Sequence, residues 1–250
     1  MNEEQELLLE MYKDTARILN EHEIRFFIHY GTAIGALRHD GFIPWDNDID
    51  IVVWAENLPT VNRILSEELD REKYYYHIPR ADTHPHVIRR TADFEKDMKE
   101  KQARFIDIFV LDKYPEKGMR RFLVNCMIWS EVLWVVFIDR FVPRFMHRLL
   151  STIPRWFERR ARGLTKPDTS LTTVYSTTFK DDIFPSSYFE NLFMHKFEDT
   201  EVPLPEGIDA ALTSLFGDYM TPPPEDKRHG ANGFPCSGYK DYMLDKKKGN

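Results

Sequence analysis

Residues 30–53 read YGTAIGALRHDGFIPWDNDIDIVV, and this stretch decides the fold. Asp46, Asp48 and Asp50 are spaced by two, and Ile51, Val52 and Val53 follow. From Asp48 to Val53 polar and apolar residues alternate, which is the period of a strand. Ile49, Ile51 and Val53 then face a core, while Asp48 and Asp50 stand side by side on the other face, with Asp46 just ahead. Adjacent carboxylates repel, a cost that keeps one of them protonated unless a divalent cation neutralises the group. Such cations prefer hard oxygen ligands. A surface strand with solvated acids is the plain alternative.

Three neighbours of this segment weigh against the plain alternative. Ile24–Tyr30 (IRFFIHY) reads as a buried strand, and Gly31-Thr32 turns from it into a short helix, with Gly35 one turn later. Backbone N–H groups at such a helix start suit a phosphate, although any strand-to-helix turn favours Gly. Arg38 lies ten residues before Asp48, and its planar fork can hold a pair of phosphate oxygens or form an ordinary surface ion pair. Phe105–Phe109 reads FIDIF, so Asp107 is a lone acid inside an apolar strand. A buried, unpaired carboxylate is costly and needs a partner or a metal. Asp107 either completes a triad with Asp48 and Asp50 or pairs with an Arg.

Along the rest of the chain, Glu3–Glu21 places Leu8, Met11, Thr15, Ile18 and Leu19 on one helical face. Asn57 caps a helix that has Pro59 early in it and runs to about Asp70. Tyr74–Ile78, His86–Arg90 and Leu192–Phe197 are strand candidates, and Pro205–Phe216 is a helix candidate. Residues 119–162 read as helical, broken near Pro143 and Pro154. The pattern is α/β (α+β), with a mixed-sheet core, flanking helices and a largely helical C-terminal half. Residues 1–115 form the core and 116–250 complete the site in the same compact unit.

The 250 residues carry a net charge of −7 and two cysteines. A general nucleic-acid binder, a disulfide framework and a four-cysteine zinc site are therefore not expected. No export signal or membrane-spanning run is predicted, since residues 1–10 (MNEEQELLLE) are acidic and polar. The charge is uneven: residues 117–166 hold 11 Lys/Arg against 3 Asp/Glu and include the apolar run FLVNCMIWSEVLWVVFI at 122–138. This segment is either a buried core helix with a basic continuation or a peripheral contact with an anionic bilayer.

The string GTAIGALRHDGFIPWDNDID, with the later Asp107, resembles the LicD family within the nucleotidyltransferase fold; GDYMTPPPEDKR at 217–228 matches that family's closing motif. The resemblance covers roughly residues 5–230, with Asn47 standing where many members carry Asp. Fukutin-related ribitol-phosphate transferases are more distant relatives, and the chain lacks the cysteines of their zinc-binding insert. The resemblance implies transfer of a phospho-alcohol, above all phosphocholine, from a CDP-linked donor such as CDP-choline. The acceptor is a hydroxyl of a cell-surface glycan (teichoic acid, lipopolysaccharide or capsule), lipid-linked in some cases, and CMP leaves. It implies Mg²⁺ or Mn²⁺ held by Asp48, Asp50 and Asp107, with Asp46 or Asp107 taking the hydroxyl proton. Gly31, Thr32 and Arg38 then position the diphosphate, joined by Arg89 or Arg90 and by Lys227 or Arg228. Strand alternation lets only one of Arg89 and Arg90 reach the site, and a basic residue near that place in the family favours Arg89. The implied setting is the cytoplasm, at the inner face of a bacterial membrane. The rival readings are nucleotidyl transfer from ATP or CTP onto a small hydroxylated substrate and a non-catalytic component of a membrane complex.

Overall fold

The structure is a computed structural model that describes residues 1–79, 84–126, 141–143, 146, 156, 170–174, 182–228 and 238–247. Its first element is α1 (Glu3–Glu21), opened by a capping box in which Asn2 and Gln5 exchange side-chain-to-backbone hydrogen bonds. Its apolar face, including Leu8, Met11, Ile18 and Leu19, is fully buried. There follow β1 (Phe26–Ile28), α2 (Tyr30–His39), β2 (Asp50–Trp54) and α3 (Leu58–Glu68). Pro59 sits in the first turn of α3, where its missing N–H costs nothing, while the Asn57 side chain makes no capping bond. Next come β3 (Tyr74–His77), β4 (His86–Arg89), α4 (Phe94–Glu100) and β5 (Phe105–Tyr114).

The second half adds strands as well as helices: β6 (Leu171–Val174), β7 (Ile183–Pro185), β8 (Leu192–Phe197), β9 (Thr200–Pro205), α5 (Ile208–Phe216) and α6 (Gly238–Lys246). Residues 119–126 are helical, and most of the basic, apolar segment at 117–166 lies outside the described residues. No helix among the described residues is long and apolar enough to cross a membrane.

Among the described residues β1 to β7 form one mixed sheet with the order β1-β2-β5-β4-β3, and β6 pairs both β5 and β7. The β2–β5 pair is parallel, and β1–β2, β3–β4 and β4–β5 are antiparallel. β6 pairs β5 at residues 111–114, beyond the part that β4 covers, so the C-terminal half joins the same sheet. One face, with Ile51, Val53, Ile106 and Ile108, packs under α1 and α3. The other, with Phe27, Val52 and Leu111, packs against Phe184, Phe189 and Ala211.

Two contacts hold the loop between α2 and β2. Gln5 Nε2, nearly buried, donates to Ile43 O at 3.1 Å and to Asp46 O at 3.0 Å. The β8–β9 hairpin reaches over from the far side: Glu198 N donates to Asp40 O at 2.7 Å, and Glu198 Oε1 accepts from Phe42 N at 3.0 Å. Inside the bend, a Cβ on Gly35 would lie 2.5 Å from Gly41 O and 3.1 Å from Ile43 N, both main-chain atoms that cannot swing away. Gly35→Ala is expected to cost about 1–3 kcal/mol, seen as a lower midpoint in urea denaturation. An unchanged midpoint would show that the α2–loop packing is not as tight as described.

Candidate active site

Strand register brings the acids together. β2 and β5 run parallel with Asp50 opposite Asp107, so two carboxylates from distant segments stand at the start of adjacent strands. Asp46 and Asp48 lie in the chain just before β2. Thr32 Oγ1 accepts from Asp50 N at 2.9 Å and pins the start of β2 to the first turn of α2. Gly31 lets Asp46 come close, since a Cβ there would lie 2.6 Å from Asp46 Oδ2.

These acids are crowded and largely dry. Burial, reinforced by Asp46 and Asp107, pushes Asp48 up to about 8. Asp50, 6% exposed, is raised well above the carboxylate range by burial and by the charges of Asp48, Asp107 and Asp46. Asp46 is also raised by burial, partly offset by a hydrogen bond from Asp48 and by the Asn47 N–H. A proton held on Asp48 thus bonds to Asp46. A cation would remove this cost, and oxygen-only donors suit a hard divalent ion, but no three of these four carboxylates bring ligand oxygens within 4.8 Å of one another. Two buried acceptors beside them, Asn47 Oδ1 and Asp107 Oδ1, have no hydrogen-bond partner.

Two arginines gather on the Trp45 ring. The guanidinium carbons of Arg38 and Arg228 lie 5.9 and 4.7 Å from the centre of the Trp45 ring, the residue before Asp46. Arg38 Nη1 donates to Tyr219 O at 2.6 Å, which ties α2 to the segment at 217–228. Burial, with Arg228 nearby, lowers the pKa of Arg38. Two like charges drawn to one indole suit an anion able to bridge them.

The LicD/FKTN/FKRP nucleotidyltransferase-domain model matches residues 23–142, which hold all four acids. Residues 23–142 carry a LicD-family domain. A lipopolysaccharide cholinephosphotransferase LicD of Haemophilus influenzae is 23% identical over 250 aligned positions, covering 90% of this chain and 93% of that protein. An uncharacterised protein of Rickettsia prowazekii is 35% identical over 112 residues, or 44% of this chain and 40% of that protein. An uncharacterised Rickettsia typhi protein is 38% identical over 60 residues, 24% and 19% of the respective chains.

Not every expected residue joins this LicD-family site. Arg89 sits over the Tyr74 ring with Nη1 3.5 Å from Glu10, on the α1 side of the sheet and on the face opposite His86 and Asp107. Arg90 donates to Tyr74 O and covers the Tyr75 and Phe94 rings, so it too lies elsewhere. Lys227 is exposed in the short 3₁₀ turn 225–227, one residue before Arg228. Thr32 is buried and its oxygen is engaged by Asp50 N, which makes it a clamp on β2. A cavity of about 480 Å³ lined by Tyr74, Tyr75, Tyr76, Arg90 and Tyr242 contains none of the four acids.

Sequence reading missed the histidines. His84 and His86 place their Nε2 atoms 3.3 and 3.2 Å from Asp107 Oδ1. Behind them His77 Nδ1 lies 3.2 Å from His86 Nδ1, and His77 Nε2 lies 3.0 Å from Asp241 Oδ2 on α6. Burial, with His84 and His77 alongside, keeps His86 well below the usual imidazole range, so it is neutral at neutral pH. A signal was available: His77 and His86 sit on two expected neighbouring strands and are opposite one another in their register.

Raised carboxyl pKa values have a stability consequence. Between its ordinary 3.8 and about 8, folded Asp48 holds a proton that the unfolded chain releases. Its contribution is full below the ordinary value and is lost as pH rises toward 8. Chelator-treated protein is expected to unfold at lower urea concentration at about pH 8 than at about pH 5, and Asp48→Asn is expected to flatten that difference. An equal slope in the variant would contradict the crowding.

Proposed function

We propose that this chain transfers phosphocholine from CDP-choline to a hydroxyl of a lipopolysaccharide glycan and releases CMP. The observation that carries the reading is the gathering of Asp46, Asp48, Asp50 and Asp107, with Arg38 and Arg228 over the Trp45 ring that precedes them in the chain. The likeness along nearly the whole length of a protein named for cholinephosphotransfer supplies the head group and the acceptor class.

Asp48, Asp50 and Asp107 would hold Mg²⁺ or Mn²⁺. Such an ion, when bound, offsets the charge of the diphosphate and of the developing leaving oxygen. Arg38 and Arg228 take the phosphate oxygens from the other side and orient the bond that breaks. The acceptor hydroxyl forms a new P–O bond to the choline-side phosphorus while the P–O bond to CMP breaks. Asp46 or Asp107 takes the hydroxyl proton. Gly31 and Thr32 hold Asp46 and Asp50 in place for this chemistry rather than touching phosphate. CDP-alcohols and a lipid-linked acceptor would be met at the cytoplasmic side of a membrane, with the basic, apolar segment at 117–166 providing peripheral attachment.

With CDP-choline, a lipopolysaccharide acceptor and Mg²⁺, CMP release is expected from the native chain. Asp48→Asn and Asp50→Asn are expected to abolish it with circular dichroism unchanged. Arg38→Ala is expected to lose a charge-assisted bond of about 1.5–3 kcal/mol, seen as a KM for CDP-choline raised roughly 10–100-fold. Turnover in both Asp variants at the native rate would overturn the reading.

A further inference from the structure

Among the described residues, His84, His86 and Asp107 are the cluster of three metal-ligating side chains whose donor atoms all lie within 4.8 Å of one another. The two imidazole nitrogens stand 3.3 and 3.2 Å from Asp107 Oδ1, yet that oxygen accepts no hydrogen bond. The N–H or lone-pair direction of each ring therefore passes beside the oxygen instead of ending on it. Donor atoms separated by about 3.0–3.4 Å form the edges of a tetrahedron or octahedron built on bonds of about 2.0–2.1 Å. The two distances to Asp107 match such edges, and all three donor atoms lie within 4.8 Å of one another. His84 is further held against the Phe109 ring, with centroids 4.2 Å apart.

The groups behind the cluster point the same way. Asp241, His77 and His86 are essentially fully buried and form one chain of contacts drawn from α6, β3 and β4. The Asp241 carboxylate only accepts, so His77 Nε2 carries a hydrogen. With that single ring hydrogen on His77, Nδ1 accepts and His86 Nδ1 donates to it. This leaves the lone pair of His86 on Nε2, on the side of Asp107 and His84. A ring that donates from one nitrogen to a buried partner and offers the other is the usual arrangement of a metal-binding histidine.

We propose that His84, His86 and Asp107 bind a divalent transition cation of the Zn²⁺ type, with His77 and Asp241 as positioning residues for His86. Imidazole nitrogen selects such ions over Mg²⁺, which keeps to oxygen. The site is therefore chemically distinct from the Asp46, Asp48 and Asp50 oxygens. Asp107 joins the two groups, since its charge also raises Asp48 and Asp50. The proposal shares Asp107 with the transfer reaction but does not depend on that reaction taking place.

Co²⁺ serves as the probe, because its visible absorption reports nitrogen ligation. Chelator-stripped full-length protein is titrated with Co²⁺ and then challenged separately with Zn²⁺ and with excess Mg²⁺. One band-producing Co²⁺ per chain is expected, with visible bands that Zn²⁺ abolishes and Mg²⁺ leaves in place. His84→Ala and His86→Ala are expected to lose the bands, and Asp48→Asn to retain them. His84→Ala keeps the test readable if the buried His86 variant fails to fold. Asp241→Asn is expected to weaken Co²⁺ binding roughly 10–100-fold and to shift the bands of the saturated protein, which a purely structural role for Asp241 would not do. Absence of bands, bands unaltered in both His variants, or equal displacement by Mg²⁺ would overturn the proposal. Bands without CMP release would sink the transfer reading alone, and CMP release without bands would sink this one alone.

Discussion

Mutual repulsion of carboxylates at the start of β2 and β5 is the constraint on which the rest of the molecule is organised. Parallel register sets Asp50 opposite Asp107, and the chain just before β2 adds Asp46 and Asp48. Left to relax, such a group would splay into solvent. It is prevented from doing so by contacts from three separate elements: Gln5 of α1 on the loop carbonyls, Thr32 of α2 on the Asp50 amide together with the close approach allowed by Gly31, and Glu198 of the β8–β9 turn on residues 40–42. The fold stores unfavourable electrostatics at one end of two interior strands, where a cation would turn them into binding energy.

Cationic groups complete the picture from the far end of the sequence. Trp45 receives Arg38 from α2 and Arg228 from the segment at 217–228, and the Arg38 bond to Tyr219 O fastens the two regions together. The segment at 217–228 is thus fastened to α2 and to the loop that precedes β2. Likewise α6 is held through Asp241, which reaches the buried His77. A truncation that removed either would leave the acids on the sheet but strip away what surrounds them.

Much of this was legible in the sequence because strong periodicity left few options. The α1 and β8 limits read from the sequence coincide with those observed, and the acid-bearing strands β2 and β5 follow from apolar alternation around Asp50 and Asp107. What stayed hidden lacked a local signal. β9 reads TEVPLP, and its two prolines argue against a strand unless it has a free edge, as a two-stranded ribbon does. α4 is a short helix of about two turns with two buried residues, and the apolar residues of α6 do not gather on one face. Arg89 was favoured by likeness to a family pattern, whereas the β4 register sends it to Glu10. The histidines were missed for a different reason: His84 and His86 are spaced by two, but only strand pairing sets His77 opposite His86, and only the packing of α6 brings Asp241 to them.

The position of the bond that breaks tests the central account most directly. CDP-choline incubated with the protein and Mg²⁺ in ¹⁸O-water, without acceptor, allows slow hydrolysis to stand in for transfer. Attack at the choline-side phosphorus would put the label in phosphocholine and leave CMP unlabelled, as the account requires. Label found in CMP would mean attack on the nucleotide phosphorus, and the acids would then serve nucleotidyl transfer instead.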